Sequence, residues 1–178
     1  MIKESSYWKE PLLALAKDLR VLNTKSKIKE YDFVQVEKDV LIGFYSIRKL
    51  FDTPKVSDEI KQKKYRVHWH SHVGEKLDFL KNHRLDELFD FSKTNTEQRY
   101  LRDICNWFIH SYIFELEYDS EGKISGILFT PDKDKNRKIY SLPIEQVTQF
   151  FEDVGSNYPE QVTWRRGEED GDETFEVL

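Results

Sequence analysis

The chain has 178 residues, a length that suits one hydrophobic core, because domains mostly run to roughly 100 to 200 residues. Aromatic residues make up 14% of it, enough large apolar surface to fold without staples, and the single cysteine, Cys105, excludes an intramolecular disulfide and fits a reducing compartment. A net charge of -5 with 34% charged residues disfavours a broad phosphate-binding surface and nonspecific nucleic-acid binding, while leaving room for a local basic patch.

The start, Met1-Ile-Lys-Glu-Ser-Ser-Tyr-Trp8, has charge where a leader needs an unbroken apolar stretch, and the longest apolar-rich run, Val40 to Tyr45, is far short of the roughly 20 residues that span a bilayer. The expectation is a cytoplasmic protein with no membrane partner. Pro11 at an early helical position, followed by Leu12, Leu15, Ala16, Leu19 and Leu22, predicts a helix over about 9–23. Asp32 with Gln35 has the form of a capping box, and Phe33, Val36, Val40, Phe44, Ile47 and Phe51 then recur at helical spacing until Thr53-Pro54.

From Tyr65 the period becomes two, predicting a strand with Tyr65, Val67 and Trp69 on one side and Arg66, His68 and His70 on the other. Residues 73–93 show no clean period and read as a long loop with a helical turn at Leu85 to Phe89. Thr94-Asn-Thr-Glu97 has the capping-box form again, so a third helix is expected to open there and run to about His110 with Leu101, Ile104, Cys105 and Phe108 as its apolar stripe. Alternation over Tyr112–Tyr118, a turn at Asp119–Gly122, and strands at Ile124–Thr130 and Lys138–Leu142 predict a three-stranded antiparallel meander. Pro143 then opens a last helix with Ile144, Val147, Phe150, Phe151 and Val154 on its apolar face and Gly155 at its end. The expected class is α+β: N-terminal helices, a helix, the meander and a C-terminal helix in one domain over 1–158. Residues 159–178, with six acidic residues among the last eleven, are expected to form a mobile tail.

Three places could carry chemistry. His68, His70 and His72 lie at alternate positions, which on a strand turns three imidazoles one way and offers ligands to a divalent metal; the structural alternative is a solvated strand face, and no other cofactor is suggested. Helical spacing gathers Arg99, Arg102, Asp103, Asn106 and His110 on one polar face, where Arg102 and His110, with Asn106, could bind and cleave a phosphodiester; the alternative is a capped helix end. Asp132-Lys-Asp-Lys-Asn136 resembles the start of a calcium loop but lacks its later Gly and Glu, so it reads as a turn. No phosphate loop or nucleophile elbow is present, and Cys105 on an apolar stripe is a poor nucleophile.

The segment Arg102-Asp-Ile-Cys-Asn-Trp-Phe-Ile-His110 resembles the Arg-polar-spacer-His motif of HEPN-type ribonucleases, with a longer spacer; that resemblance implies a composite ribonuclease site across a helical dimer. Ile47-Arg-Lys-Leu50 and Cys105-Asn-Trp-Phe-Ile-His-Ser-Tyr-Ile-Phe114 resemble segments of small uncharacterised bacterial proteins, which implies a bacterial origin and no mechanism. If the second and third helices are neighbours, Arg48 and Lys49 face the Asn106–Tyr112 junction. With no catalytic signature, the leading expectation is a non-enzymatic accessory protein that works through a protein partner or self-association; the alternatives are the phosphodiesterase and metal-dependent readings.

Overall fold

Leu12, Ala16 and Leu19 are the buried stripe of helix α1 (Ser6–Asn23) in the computed structural model, which describes residues 2–25, 28–80, 82–166 and 173–178. The helix starts earlier than Pro11 indicates because Glu4 accepts the Ser6 N–H at 3.1 Å, placing the proline inside the helix on an exposed position. Helix α2 (Glu30–Phe51) buries Val36, Val40, Phe44, Ile47 and Leu50. Asp32 sits within its first turn and bonds back to the Lys29 N–H at 3.1 Å, so it caps from inside the helix and does not precede it. A short helix α3 (Asp58–Gln62) leads into the sheet.

The class is α+β, and the sheet is larger than a meander. Strands β1 (Lys64–His72), β2 (Phe89–Tyr100), β3 (Ser111–Tyr118), β4 (Ile124–Pro131) and β5 (Lys138–Pro143) form one antiparallel sheet in the order β2-β1-β5-β4-β3. The expected meander supplies three of these five strands, and β1 joins it along β5, with His68 opposite Ser141 and His70 opposite Ile139. The second correction is β2. Thr94 to Tyr100 lie in β2 and do not cap a helix: Asn95 to Tyr100 pair with Lys64–Trp69 of β1, and helix α5 (Leu101–Ile109) begins only after them. Along β2 the half-buried residues Asn95, Glu97 and Arg99 alternate with exposed Thr94, Thr96 and Gln98, a period of two carried by polar residues. Hydrophobic patterning cannot see such a strand. The turn expected near Leu85 is present as α4 (Leu85–Leu88).

Helix α6 (Ile144–Gly155) follows β5 directly but is not the last element. Strands β6 (Val162–Arg166) and β7 (Glu173–Val177) pair as an antiparallel ribbon in the stretch expected to be a tail. Val177 is fully buried and donates its N–H to Asp58 Oδ2 at 3.0 Å, which ties the ribbon to α3. The acidic run Glu168 to Asp172 lies outside the described residues.

Helices α1, α2, α5 and α6 cover one face of the sheet, and the main core lies between. Its centre is a ladder of rings: Phe44 stacks on Phe108 (4.1 Å between centroids), Phe108 on Phe129 (4.0 Å), Phe129 on Tyr140 (5.5 Å) and Tyr140 on Trp107 (4.3 Å). Offset stacking adds to the burial of each ring and fixes their mutual orientation. Gly43 is required here: a Cβ would lie 2.4 Å from the Phe151 ring, whose side chain is fully buried. A smaller cluster of Leu77, Leu88, Phe89, Ile113 and Ile139 forms on the other face.

One buried cation has no carboxylate partner among the described residues. Lys9 has no exposed surface; its ammonium donates to Lys55 O (2.6 Å) and Asn157 O and lies 4.2 Å from the centre of the Tyr158 ring, joining α1 to the turns after α2 and α6. Burial, aided by the nearby Lys55 charge, lowers its pKa to about 8. Between that value and its unfolded value of roughly 10.4 the unfolded chain holds one proton more, so Lys9 makes stability rise with pH, by at most about 1.4 kcal/mol per unit. The buried Cys105 thiol, held well above its ordinary range, acts in the opposite sense above roughly pH 8.5. Denaturant unfolding of the wild type and Lys9→Met between pH 8 and 10 separates them: their stability difference should shift in favour of the wild type as pH rises. A pH-independent difference contradicts the assignment.

Candidate functional site

The polar face of α5 is divided by its packing. Arg102 points to the C-terminal end of α2, where Nη1 bonds Asp52 Oδ1 and Nη2 bonds Phe51 O, both at 2.9 Å. Arg48 bonds the same Asp52 oxygen and, through Nε, Asn106 Oδ1 at 2.9 Å, so the contact expected between Arg48 and the Asn106 junction is present. Burial works to raise the Asp52 pKa, and the hydrogen bonds and charges of the two arginines outweigh it, leaving it lowered. Arg102 thus fastens two helices, while His110, exposed at the other end of α5, lies two turns away. The two do not meet within one chain. Arg102→Ala is expected to cost about 1 kcal/mol in denaturant unfolding and to leave anion binding at the cleft described below unchanged.

The three strand histidines do share a face, the one opposite the main helices, but have separate surroundings. His70 Nδ1 lies 3.0 Å from Lys93 O, which can only accept, so that nitrogen carries the proton; its ring leans on Phe91 at 4.9 Å. His72 meets Phe89 edge-on at 5.3 Å. His68 Nδ1 and His72 Nε2 are buried without a hydrogen-bond partner among the described residues. No three His, Cys, Asp or Glu side chains among the described residues stand close enough to hold one metal ion.

The other side of α5 opens into two adjoining hollows that share Trp107 and Lys133 as walls. The first, of about 340 Å³, is lined by Arg99 from β2, Asp103 from α5, Lys133 and Asp134 from the turn Asp132–Asp134, and Arg137, Lys138 and Tyr140 leading into and along β5. Glu97 organises its rim, accepting from Arg99 Nε at 3.2 Å and from Lys138 Nζ at 2.9 Å. Buried Asp134 accepts the Tyr140 hydroxyl at 3.3 Å and lies 3.5 Å from Arg137 Nη1. Burial of that hydroxyl, reinforced by Glu97 and Asp134, raises its pKa, so Tyr140 serves as a neutral donor. Lys133 makes no hydrogen bond or ion pair with the described residues, its ammonium 5.8 Å from the Trp107 ring centre, and Arg137 has a side chain 75% exposed. Counting Glu97, four cations face three carboxylates, an excess of one positive charge on a chain of net charge -5.

The second hollow, about 320 Å³, is bounded by Asn106, Trp107, His110, Pro131, Asp132 and Lys133. The ring ladder holds Trp107, 6% exposed, rigidly between the two. Asn106 and His110 are therefore site-lining residues, and Arg102 is not. Lys133, Arg137, Lys138 and Tyr140 escaped the sequence reading because they meet Arg99 only through the β2-β1-β5 pairing. The visible signal was the run of cations interleaved with the 132–138 turn.

In comparisons with known proteins, no protein family, no curated protein and no solved structure matches the chain. No helix among the described residues is long and apolar enough to cross a membrane.

Proposed function

We propose that the chain is an accessory binding protein that takes a small anionic ligand in the cleft between α5 and the 132–138 turn. The observation that carries this is the cluster of Arg99, Lys133, Arg137 and Lys138 around a floor of stacked Trp107 and Tyr140, on a chain whose overall charge is negative. Cations fixed at a concave site attract anions more strongly than the same charges on a convex surface, because the protein walls focus the field. Glu97 holds Arg99 and Lys138 in place, which limits the entropy those two side chains lose when a ligand arrives. Calorimetric titration with pyrophosphate tests the reading: saturable one-to-one binding that weakens with added salt is expected, and no heat at any salt concentration contradicts it.

A second reading, self-association, is favoured by the exposed side of α2. Tyr31, Val34, Ile42 and Tyr45 are each about half or more exposed, and they are symmetric about Lys38. A second copy running antiparallel about a two-fold axis would place Tyr31 against Tyr45 and Val34 against Ile42, with Lys38 opposite its own copy on the axis, Glu37 and Asp39 being its neighbours in sequence. Light scattering should then give a dimer that Ile42→Glu converts to a monomer; a monomer at all concentrations contradicts it.

A further inference from the structure

Resting on the anion-binding reading, we infer that the two hollows form one bipartite site for a nucleoside 5′-phosphate, with the phosphates in the first hollow and the base in the second. The two hollows differ in chemistry. The first is walled by four cations and two aspartates; the second is bounded by Trp107, the Pro131 ring and the His110 imidazole. Lys133 stands on the ridge between them, where its ammonium can reach a phosphate on one side while its stem borders the other.

Asn106 gives the second hollow a means of reading a base. Its Oδ1 accepts from Arg48 Nε at 2.9 Å, and a guanidinium has only donors, so the orientation of the amide is fixed. The amide NH2 therefore lies on the other side of the carboxamide, with no protein partner among the described residues, in a residue that borders the hollow. It is a pre-oriented donor for a ring nitrogen or carbonyl acceptor on the edge of a base. His110 is exposed beside it, with a side chain that makes no hydrogen bond to the described residues, and offers a planar surface of the kind that nucleobases stack upon. A pyrophosphate alone would leave this second hollow unused. A strand of nucleic acid would need free cations to continue past the cleft, and Lys135, beside the second hollow, is paired with Asp132 at 2.8 Å.

The experiment compares four probes on the full chain by calorimetry at one salt concentration: pyrophosphate, a free nucleoside, the four common nucleoside 5′-diphosphates, and a six-nucleotide single strand. At least one diphosphate should bind about tenfold or more tighter than pyrophosphate. His110→Ala, a change at an exposed position, should remove that advantage and leave pyrophosphate affinity unchanged. If pyrophosphate binds and every nucleoside diphosphate binds equally well, the base subsite is overturned while the anion cleft stands. If no probe binds, both fall. If the six-nucleotide strand binds more than about tenfold tighter than any diphosphate, the small-nucleotide assignment is overturned in favour of a strand-binding groove.

Discussion

Phe108→Ala should cost about 3 to 5 kcal/mol of folding stability, measured by denaturant unfolding. Phe108 is fully buried and sits between Phe44 and Phe129 with centroid separations of 4.1 and 4.0 Å, so its removal opens a cavity where α2, α5 and β4 meet. For a domain whose total stability is of the order of 5 to 15 kcal/mol, that is a large fraction. The ladder continues through Phe129 and Tyr140 to Trp107, so the loss should be accompanied by a changed Trp107 environment in near-ultraviolet circular dichroism. A loss below about 1 kcal/mol with an unaltered spectrum contradicts the view that the ladder fixes the floor of the cleft.

The second large effect is on binding. Lys133→Glu and Arg137→Glu each replace an exposed or unpaired cation of the first hollow by an anion, and together they turn a local excess of one positive charge into a deficit of three. Pyrophosphate affinity should fall by at least about a hundredfold, while unfolding stability stays within roughly 0.5 to 1 kcal/mol because neither side chain packs in the core. Among the described residues Arg137 gives up its 3.5 Å contact with Asp134, and Lys133 its place near Trp107. Unchanged affinity in the double variant would show that the anion binds elsewhere.

How far the sequence foretold this architecture follows from where its periodicity is apolar. The buried stripes of α1, α2, α5 and α6 are written in Leu, Val, Ile and Phe at helical spacing, β3 sets Glu115 and Glu117 between apolar residues, and β4 is a short apolar run after the Asp119–Gly122 turn, so those elements could be read directly. Strand β2 could not. Its inward positions are Asn95, Glu97 and Arg99, polar residues placed inward to build the rim of a cleft, and its Thr94–Glu97 stretch imitates a helix cap. The ribbon β6–β7 was hidden for a related reason: it exposes Trp164 and Phe175 and anchors mainly through Val177, so the chain locally looks as if it had nothing to bury. The candidate site was half legible. Asn106 and His110 follow from helical spacing alone, whereas separating them from Arg102 required knowing that α2 ends beside α5 at Asp52. The cations of the 132–138 turn are visible in sequence, but their meeting with Arg99 depends on two strand pairings, β2 with β1 and β1 with β5.

The most direct measurement of the central claim uses the four tryptophans, each of which gives one indole N–H signal in a proton–nitrogen correlation spectrum. Trp107 forms a wall of both hollows, whereas Trp8 packs against the main core and Trp164 lies on the ribbon. Titration with pyrophosphate should move the Trp107 indole signal and the backbone signals of Arg99, Lys133 and Arg137 along one saturating curve, and leave Trp8 and Trp164 in place. Movement spread evenly over lysines and arginines across the surface, with Trp107 stationary, would contradict an anion site in this cleft.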